Sequence, residues 1–387
     1  MALLAARSTG PTRRARLATG WVFFANGAAL GSWVPHIPDA KHALGLTDGP
    51  LGLALLGMAV GSLVGLPLSG VLTARFGSRK TTIAALFAML LATPLPILAP
   101  SIPVFVIALL VLGMANGAVD VAMNSQAVAV QDRFGRAIMS GFHGLFSVGG
   151  LAGAAAAALA MDAGIGPASH LLATVAGLLL PSLAAIGFLL PTTSATSRSG
   201  FRLPRGPLIA LGVLALCSLM AEGAIGDWAA VYLRDDLAAD GGLAALGFAA
   251  FSLAMAGGRF LGDRMVRRCG GPAVLAVGSG IAAVALGAGL WLGNPIAALV
   301  GFGAVGLGLA NAVPILFSLA GNIPSVLPEL AIAGVATAGY CGFLLGPPVI
   351  GIIAERFTLG AGLALVAIAL AVLALGGARM ASEGGAR

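Results

Sequence analysis

Apolar runs of about 20 residues, each long enough to cross a hydrocarbon core of about 30 Å, recur twelve times along this chain. They centre near Phe24, Ala59, Phe87, Leu112, Leu151, Leu179, Ala215, Phe251, Val284, Gly306, Leu344 and Ile368. In such a core backbone N–H and C=O groups find no water, so each run must satisfy its own hydrogen bonds, as a helix does. The expected fold class is an all-α membrane protein with twelve transmembrane helices. Composition agrees: 59% of residues are apolar and 9% charged, against about 45–50% and 25% in soluble domains. Arg13, Arg14 and Arg16 precede the first run as they would in a signal peptide, but the run is too long and ends in Trp33-Val-Pro-His-Ile-Pro38 without a small-residue cleavage site, so a retained helix is expected.

The net charge of +7 is a matter of topology. With the N-terminus in the cytoplasm, 18 of the 21 Lys and Arg fall on the inner side, leaving Lys41, Arg234 and Arg356 outside. That is the asymmetry of the positive-inside rule. It predicts twelve spans with both termini cytoplasmic, and it excludes nucleic acid as the reason for the charge. Cys217, Cys269 and Cys341 lie in separate segments, so neither a disulfide framework nor a metal site is expected.

The longest loop, rich in Ser, Thr and Arg, falls mid-chain, which predicts an N-terminal six-helix bundle over 1–190, a cytoplasmic linker over 191–207 and a C-terminal bundle over 208–387. The halves repeat. Ala25-Asn26-Gly27-Ala28 returns as Ala221-Glu222-Gly223-Ala224 at an offset of 196, and Gly113-Met-Ala-Asn116 returns as Gly308-Leu-Ala-Asn311 at 195. Parallel repeats of this kind bind substrate near the midplane between the halves.

Gly70-Val-Leu-Thr-Ala74-Arg75-Phe-Gly77-Ser-Arg79-Lys80 resembles the Gly-x-x-x-Asp-Arg-x-Gly-x-Arg-Arg loop of the major facilitator superfamily, and Gly262-Asp263-Arg264-Met-Val-Arg267-Arg268 resembles its counterpart in the second half. The resemblance implies cytoplasmic gating by Gly70, Arg75, Gly77, Arg79, Asp263, Arg264 and Arg268. Ala74 stands where the family has an acid, which leaves Asp263 to latch the C-terminal half alone. Within the superfamily the chain is most similar to the bacterial YbjJ-like inner-membrane branch, related to fucose-permease-like transporters, for which the resemblance supplies no substrate. The family is usually monomeric.

Neither Lys41 nor Lys80 is preceded by the glycine of a phosphate-binding loop, and no catalytic constellation or cofactor motif is present, so a non-enzyme driven by an ion gradient is expected. The candidate residues for solute and proton are polar groups inside the apolar runs, where an ionisable side chain costs roughly 2.5–3.5 kcal/mol on insertion scales. Asn116, Asp120 and Asn124 form one stripe on helix 4. His143 on helix 5 is expected beside Asp120, the two making a proton site. Glu222 occupies the repeat position of Asn26. Asp227 lies about 140° around helix 7 from Glu222, which predicts that the two do not share a pocket face. Trp228 reads as an anchor at the outer interface, and Asn311 and Tyr340 complete the set. Arg259 is expected to snorkel from the inner end of helix 8, Pro314 to mark a bend in helix 10, and His36, His42 and His170 to lie in loops without a role. A polyspecific exporter and a non-transporting membrane sensor or scaffold are the rival readings. Low aromatic content, 6%, argues mildly against the exporter.

Overall fold

In lipid the hydrophobic effect does not drive one helix against another, so association rests on close packing and on polar contacts. The glycines of this chain supply the first. In the computed structural model, which describes residues 10–135, 138–191, 206, 208–323 and 326–385, the first half consists of α1 (Gly10–Trp33), the short α2 (Ile37–Ala43), α3 (Asp48–Phe76), α4 (Ser78–Ala92), α5 (Ile102–Phe134), α6 (Met139–Asp162) and α7 (Pro167–Ala185). A Cβ on Gly113 of α5 would collide with the Met58 carbonyl of α3, and one on Gly117 with that of Ser62. Likewise Gly149 and Gly153 of α6 lie against the Phe24 and Ala28 carbonyls of α1.

The second half consists of α8 (Leu208–Val231), α9 (Gly241–Cys269), α10 (Gly271–Leu292), α11 (Pro295–Leu309), α12 (Ala312–Gly321), α13 (Pro328–Arg356) and α14 (Leu359–Gly385). It repeats the same device: Gly342 of α13 lies against the Leu216 carbonyl of α8, and Gly306 of α11 against that of Phe251 on α9. Across the halves, α6 packs on α9 and α3 on α13. The linker expected over 191–207 lies almost wholly outside the described residues.

Ten helical stretches among the described residues are long and apolar enough to span a membrane, with α11 and α12 together forming one, Pro295–Gly321. The other two expected spans are α1, which opens on Arg13, Arg14 and Arg16, and α4, which has only 15 residues before the chain turns at Thr93. With these two, the described residues hold a helical stretch at each of the twelve expected positions. The stretch containing α8 is the most enclosed, 67% buried against 22% for that of α7, so the first helix of the second half runs through the centre of the molecule.

Two glycines show why the gating-type loops are written as they are. Gly77, between α3 and α4, has φ +82°, and Gly270, between α9 and α10, has φ +80°, backbone that glycine adopts without steric cost. In helix 10 the bend comes at Ala310 and Asn311, between α11 and α12. Pro314 sits one turn later, where an absent N–H leaves no intrahelical bond unmade.

Candidate functional site between the halves

A cavity of about 340 Å³ lies where α1, α3, α5 and α6 face α8, α9 and α13, within the usual size range for small-molecule sites. Asn116 and Asp120 reach it from α5, Ser62 from α3, Ser147 from α6, Glu222 and Asp227 from α8, Ser252 and Arg259 from α9, and Tyr340 from α13. Trp33, Phe146, Phe248, Phe251 and Phe343 complete an aromatic wall.

Asp120 accepts a hydrogen bond from Asn124 Nδ2 at 3.1 Å, and the same amide donates to the Asp120 carbonyl at 2.8 Å. The four-residue spacing of the stripe thus orients the acid, with Asn124 supporting it from outside the lining. His143 is not its neighbour in the cavity. The imidazole packs edge-on against Phe23 of α1 at 5.3 Å between centroids, on the same face of α6 as Ser147 and Gly150 but one turn before Ser147, and of the three only Ser147 and Gly150 line the cavity.

Glu222 and Asp227 do share the cavity, contrary to expectation. Gly223 and Gly226 also line it, so the open space wraps the whole arc of about 140° between the two acids, and the glycines keep that arc free of side chains. Trp228 is fully buried and lies 3.3 Å from where a Cβ on Gly351 of α13 would stand, so it is a packing residue and not an interfacial anchor. Asn26, the repeat partner of Glu222, is buried away from the lining with its Oδ1 unpartnered. Asn311 donates from Nδ2 to the Gly258 carbonyl at 3.1 Å, bracing the bend of helix 10 against α9.

Arg259 is the cavity-lining residue that sequence reasoning misplaced. Its Nη1 donates to Ser147 Oγ at 2.8 Å and, at 3.4 Å, to the His143 carbonyl, while Nη2 stands 3.7 Å from Glu222 Oε1. It does not snorkel: its guanidinium is drawn inward by a carboxylate on its own half and an acceptor pair on the other. The counterpart position in the inner-side cation tally therefore belongs to the cavity. No helix-period signal separates the two outcomes for a lone arginine near a helix end. A carboxylate at a similar depth on the preceding helix, Glu222, was the available clue.

A second polar cluster lies at the end of the molecule that carries α2. Arg234, in a π-helical turn Tyr232–Asp236 that follows α8, donates to Asp39 of α2. Lys41 binds Asp235 of that turn at 2.6 Å and Asp48 at the start of α3 at 2.7 Å, and His42 Nε2 meets Asp235 at 2.9 Å. His36 is fully buried, with Nδ1 2.8 Å from Asp39 Oδ2 and Nε2 2.9 Å from His170 Nδ1 of α7. The histidines expected to be idle loop residues are thus bound into structure. Burial works against the Asp39 charge, but hydrogen bonds from His36 and Arg234 outweigh it and hold the carboxyl below its ordinary 3.8. Burial likewise works against the Lys41 charge, and the bonds to Asp235 and Asp48 raise its ammonium above 10.5.

The gating-type loops at the opposite end are unlike this cluster. Arg75 stacks on its neighbour Phe76, Arg79 donates to the Gly187 carbonyl within its own half at 3.2 Å, and Arg264 and Arg268 are exposed. Gly70 and Gly77 belong to the end of α3. The Asp263 side chain lies outside the described residues.

Residues 18–325 match the family model described as Major Facilitator Superfamily. An uncharacterized MFS-type transporter of Yersinia pestis is 40% identical over 93% of this chain and 94% of its own. The membrane protein MosC of Rhizobium meliloti is 35% identical over 94% of this chain and 90% of its own. Among solved structures, a D-xylose-proton symporter superposes with a TM-score of 0.71 at 14% identity, covering 94% of this chain and 96% of that one. The nucleoside transporter NupG superposes with a TM-score of 0.66 at 14% identity, covering 98% and 99%.

Proposed function

This chain belongs to the major facilitator superfamily, and from that premise we propose that it is a proton-coupled secondary transporter of a small polar solute, working by alternating access between its two six-helix halves. The observation that carries the reading is the set of three carboxylates, Asp120, Glu222 and Asp227, around one inter-half cavity with a single arginine among them. Charged groups at that depth are costly unless they serve a path for solute or ions. A carboxylate that gains and loses a proton during the cycle draws on the membrane potential, about 2.3 kcal/mol per charge per 100 mV, enough for roughly 50-fold accumulation.

Asp120 is the proposed proton carrier, since its one hydrogen-bonded partner, Asn124, is neutral and leaves it free to change charge. Glu222 and Arg259 form the solute-responsive pair, and Asn116, Ser62, Ser252 and Tyr340 supply neutral hydrogen bonds to the solute. Halves with boundaries at 190 and 208 rock about the cavity, and the end carrying Lys41 and Arg234 faces away from the cytoplasm. The protein works as a monomer in the inner membrane, needs no bound cofactor and is not an enzyme.

A thermal-shift screen of the purified protein at pH 5.5 and 7.5 tests the reading, using D-xylose, a nucleoside, amino acids and organic acids. Stabilisation by one polar class, lost in Asp120→Asn or Glu222→Gln, is the expected result. Failure of every solute, with the variants indistinguishable from the parent, would favour a sensor or scaffold. One observation keeps the exporter as a second reading: although aromatic residues are few overall, six line this cavity, Trp33, Phe146, Phe248, Phe251, Tyr340 and Phe343. Susceptibility profiling of a deletion strain against apolar drugs separates that reading from the first.

A further inference from the structure

One ion pair at the α2 end joins positions that the internal repeat makes equivalent: Asp39 and Arg234 are 195 residues apart, the offset of Asn116 and Asn311, and Lys41–Asp235, at 194, lies one residue off that register beside it. When two positions related by a pseudo-two-fold axis touch one another, they lie beside that axis. In a fold built from parallel repeats the axis runs along the membrane normal and through the path between the halves. A contact on it closes the path at its centre, not at its rim.

We propose that the Asp39–Arg234 and Lys41–Asp235 pairs are an axial latch that shuts the α2 end of the transport path and must break each time that end opens. The inference rests on the alternating-access reading above. Two further observations support it. Lys41 and Arg234 are two of the three basic residues on the side where the positive-inside rule disfavours them, and both are spent on bonds between the halves. Arg234 and Asp235 also sit in a π-helical turn, a local departure from α-geometry common at functional sites. The backbone N–H of Gly49 on α3 donates to Glu355 Oε2 of α13 at 2.9 Å, adding a further inter-half bond at this end. His36 and His170 brace Asp39 from within its own half.

The test uses the full chain with Cys217, Cys269 and Cys341 replaced by serine and a reporter, Ala59→Cys, in the cavity lining. A sulfonated, membrane-impermeant maleimide is applied to intact cells and, separately, to inverted vesicles. The parent should label faster in inverted vesicles. Asp39→Asn and Arg234→Gln should each raise labelling in intact cells by about three- to tenfold, as losing a partly buried ion pair shifts a two-state population. The charge exchange Asp39→Arg with Arg234→Asp should return labelling toward the parent. Unchanged labelling in both single variants, or no recovery on exchange, overturns the latch. A parent reporter that labels from neither side overturns instead the transport reading on which the latch rests. Asp39→Asn, nearly isosteric, keeps the test valid if the arginine variants fold poorly.

Discussion

Arg259 holds Ser147 of the first half with one nitrogen and faces Glu222 of its own half with another. Removing either charge therefore strands the other in a site of low polarity. Arg259→Gln should lower solute flux by about tenfold or more, as expected for an uncompensated buried charge. Adding Glu222→Gln should recover part of that loss, because partners in one pair act non-additively. Flux in proteoliposomes across the four-member cycle measures it, and strictly additive losses would separate the two residues. At this scale the sequence exposed which residue types sat too deep in apolar runs, and Asp120, Glu222, Asp227 and Tyr340 all reach the cavity. It did not expose depth: His143 and Ser147 share a face of α6 one turn apart, and only Ser147 lies far enough along the helix to line the cavity.

The elements are fastened by glycines at crossings whose geometry a stability measurement can read. Gly113 of α5 meets the Met58 carbonyl, while Gly177 on the exposed flank of α7 has open space around its Cβ position. Gly113→Val should lower the melting temperature of the detergent-purified protein by the equivalent of about 1–3 kcal/mol, and Gly177→Val should leave it nearly unchanged. Equal effects would remove the close α3–α5 crossing from the account. The turn between α1 and α3 makes a different prediction. Asp39, held below its ordinary value, strengthens the closed contact at every pH above about 4 and loses it only as the pH falls through the lowered value. Lys41, held above its ordinary value, strengthens it below about 10 and loses it as pH rises beyond the raised value. Closure of the α2 end should therefore not vary between about pH 5 and 9, by side-specific labelling of the same reporter. A transition inside that window would take closure away from the Asp39–Arg234 and Lys41–Asp235 pairs. The latch was not legible in the sequence, since its partners are nearly 200 residues apart and meet only when the two halves are brought together.

At the scale of the whole molecule, twelve apolar runs anticipated an all-helical membrane fold, the repeat a cavity between halves, and the loop motifs at 70–80 and 262–268 the family, by resemblance. The first of these follows from bilayer thickness and backbone satisfaction, which leave few alternatives. The proposed function rests on the asymmetry inside the cavity: Asn116 has a repeat partner in Asn311, but the partner braces a helix bend, and Asp120 faces a second half that presents Glu222, Asp227 and Arg259 on other helices. The central claim is that Asp120 carries the coupled proton. In proteoliposomes loaded with a pH-sensitive dye, adding the solute identified by thermal stabilisation should move protons inward with the solute in the parent. Asp120→Asn should abolish that proton movement while leaving solute exchange at equal concentrations measurable. Proton movement of the same size in the variant would contradict the account.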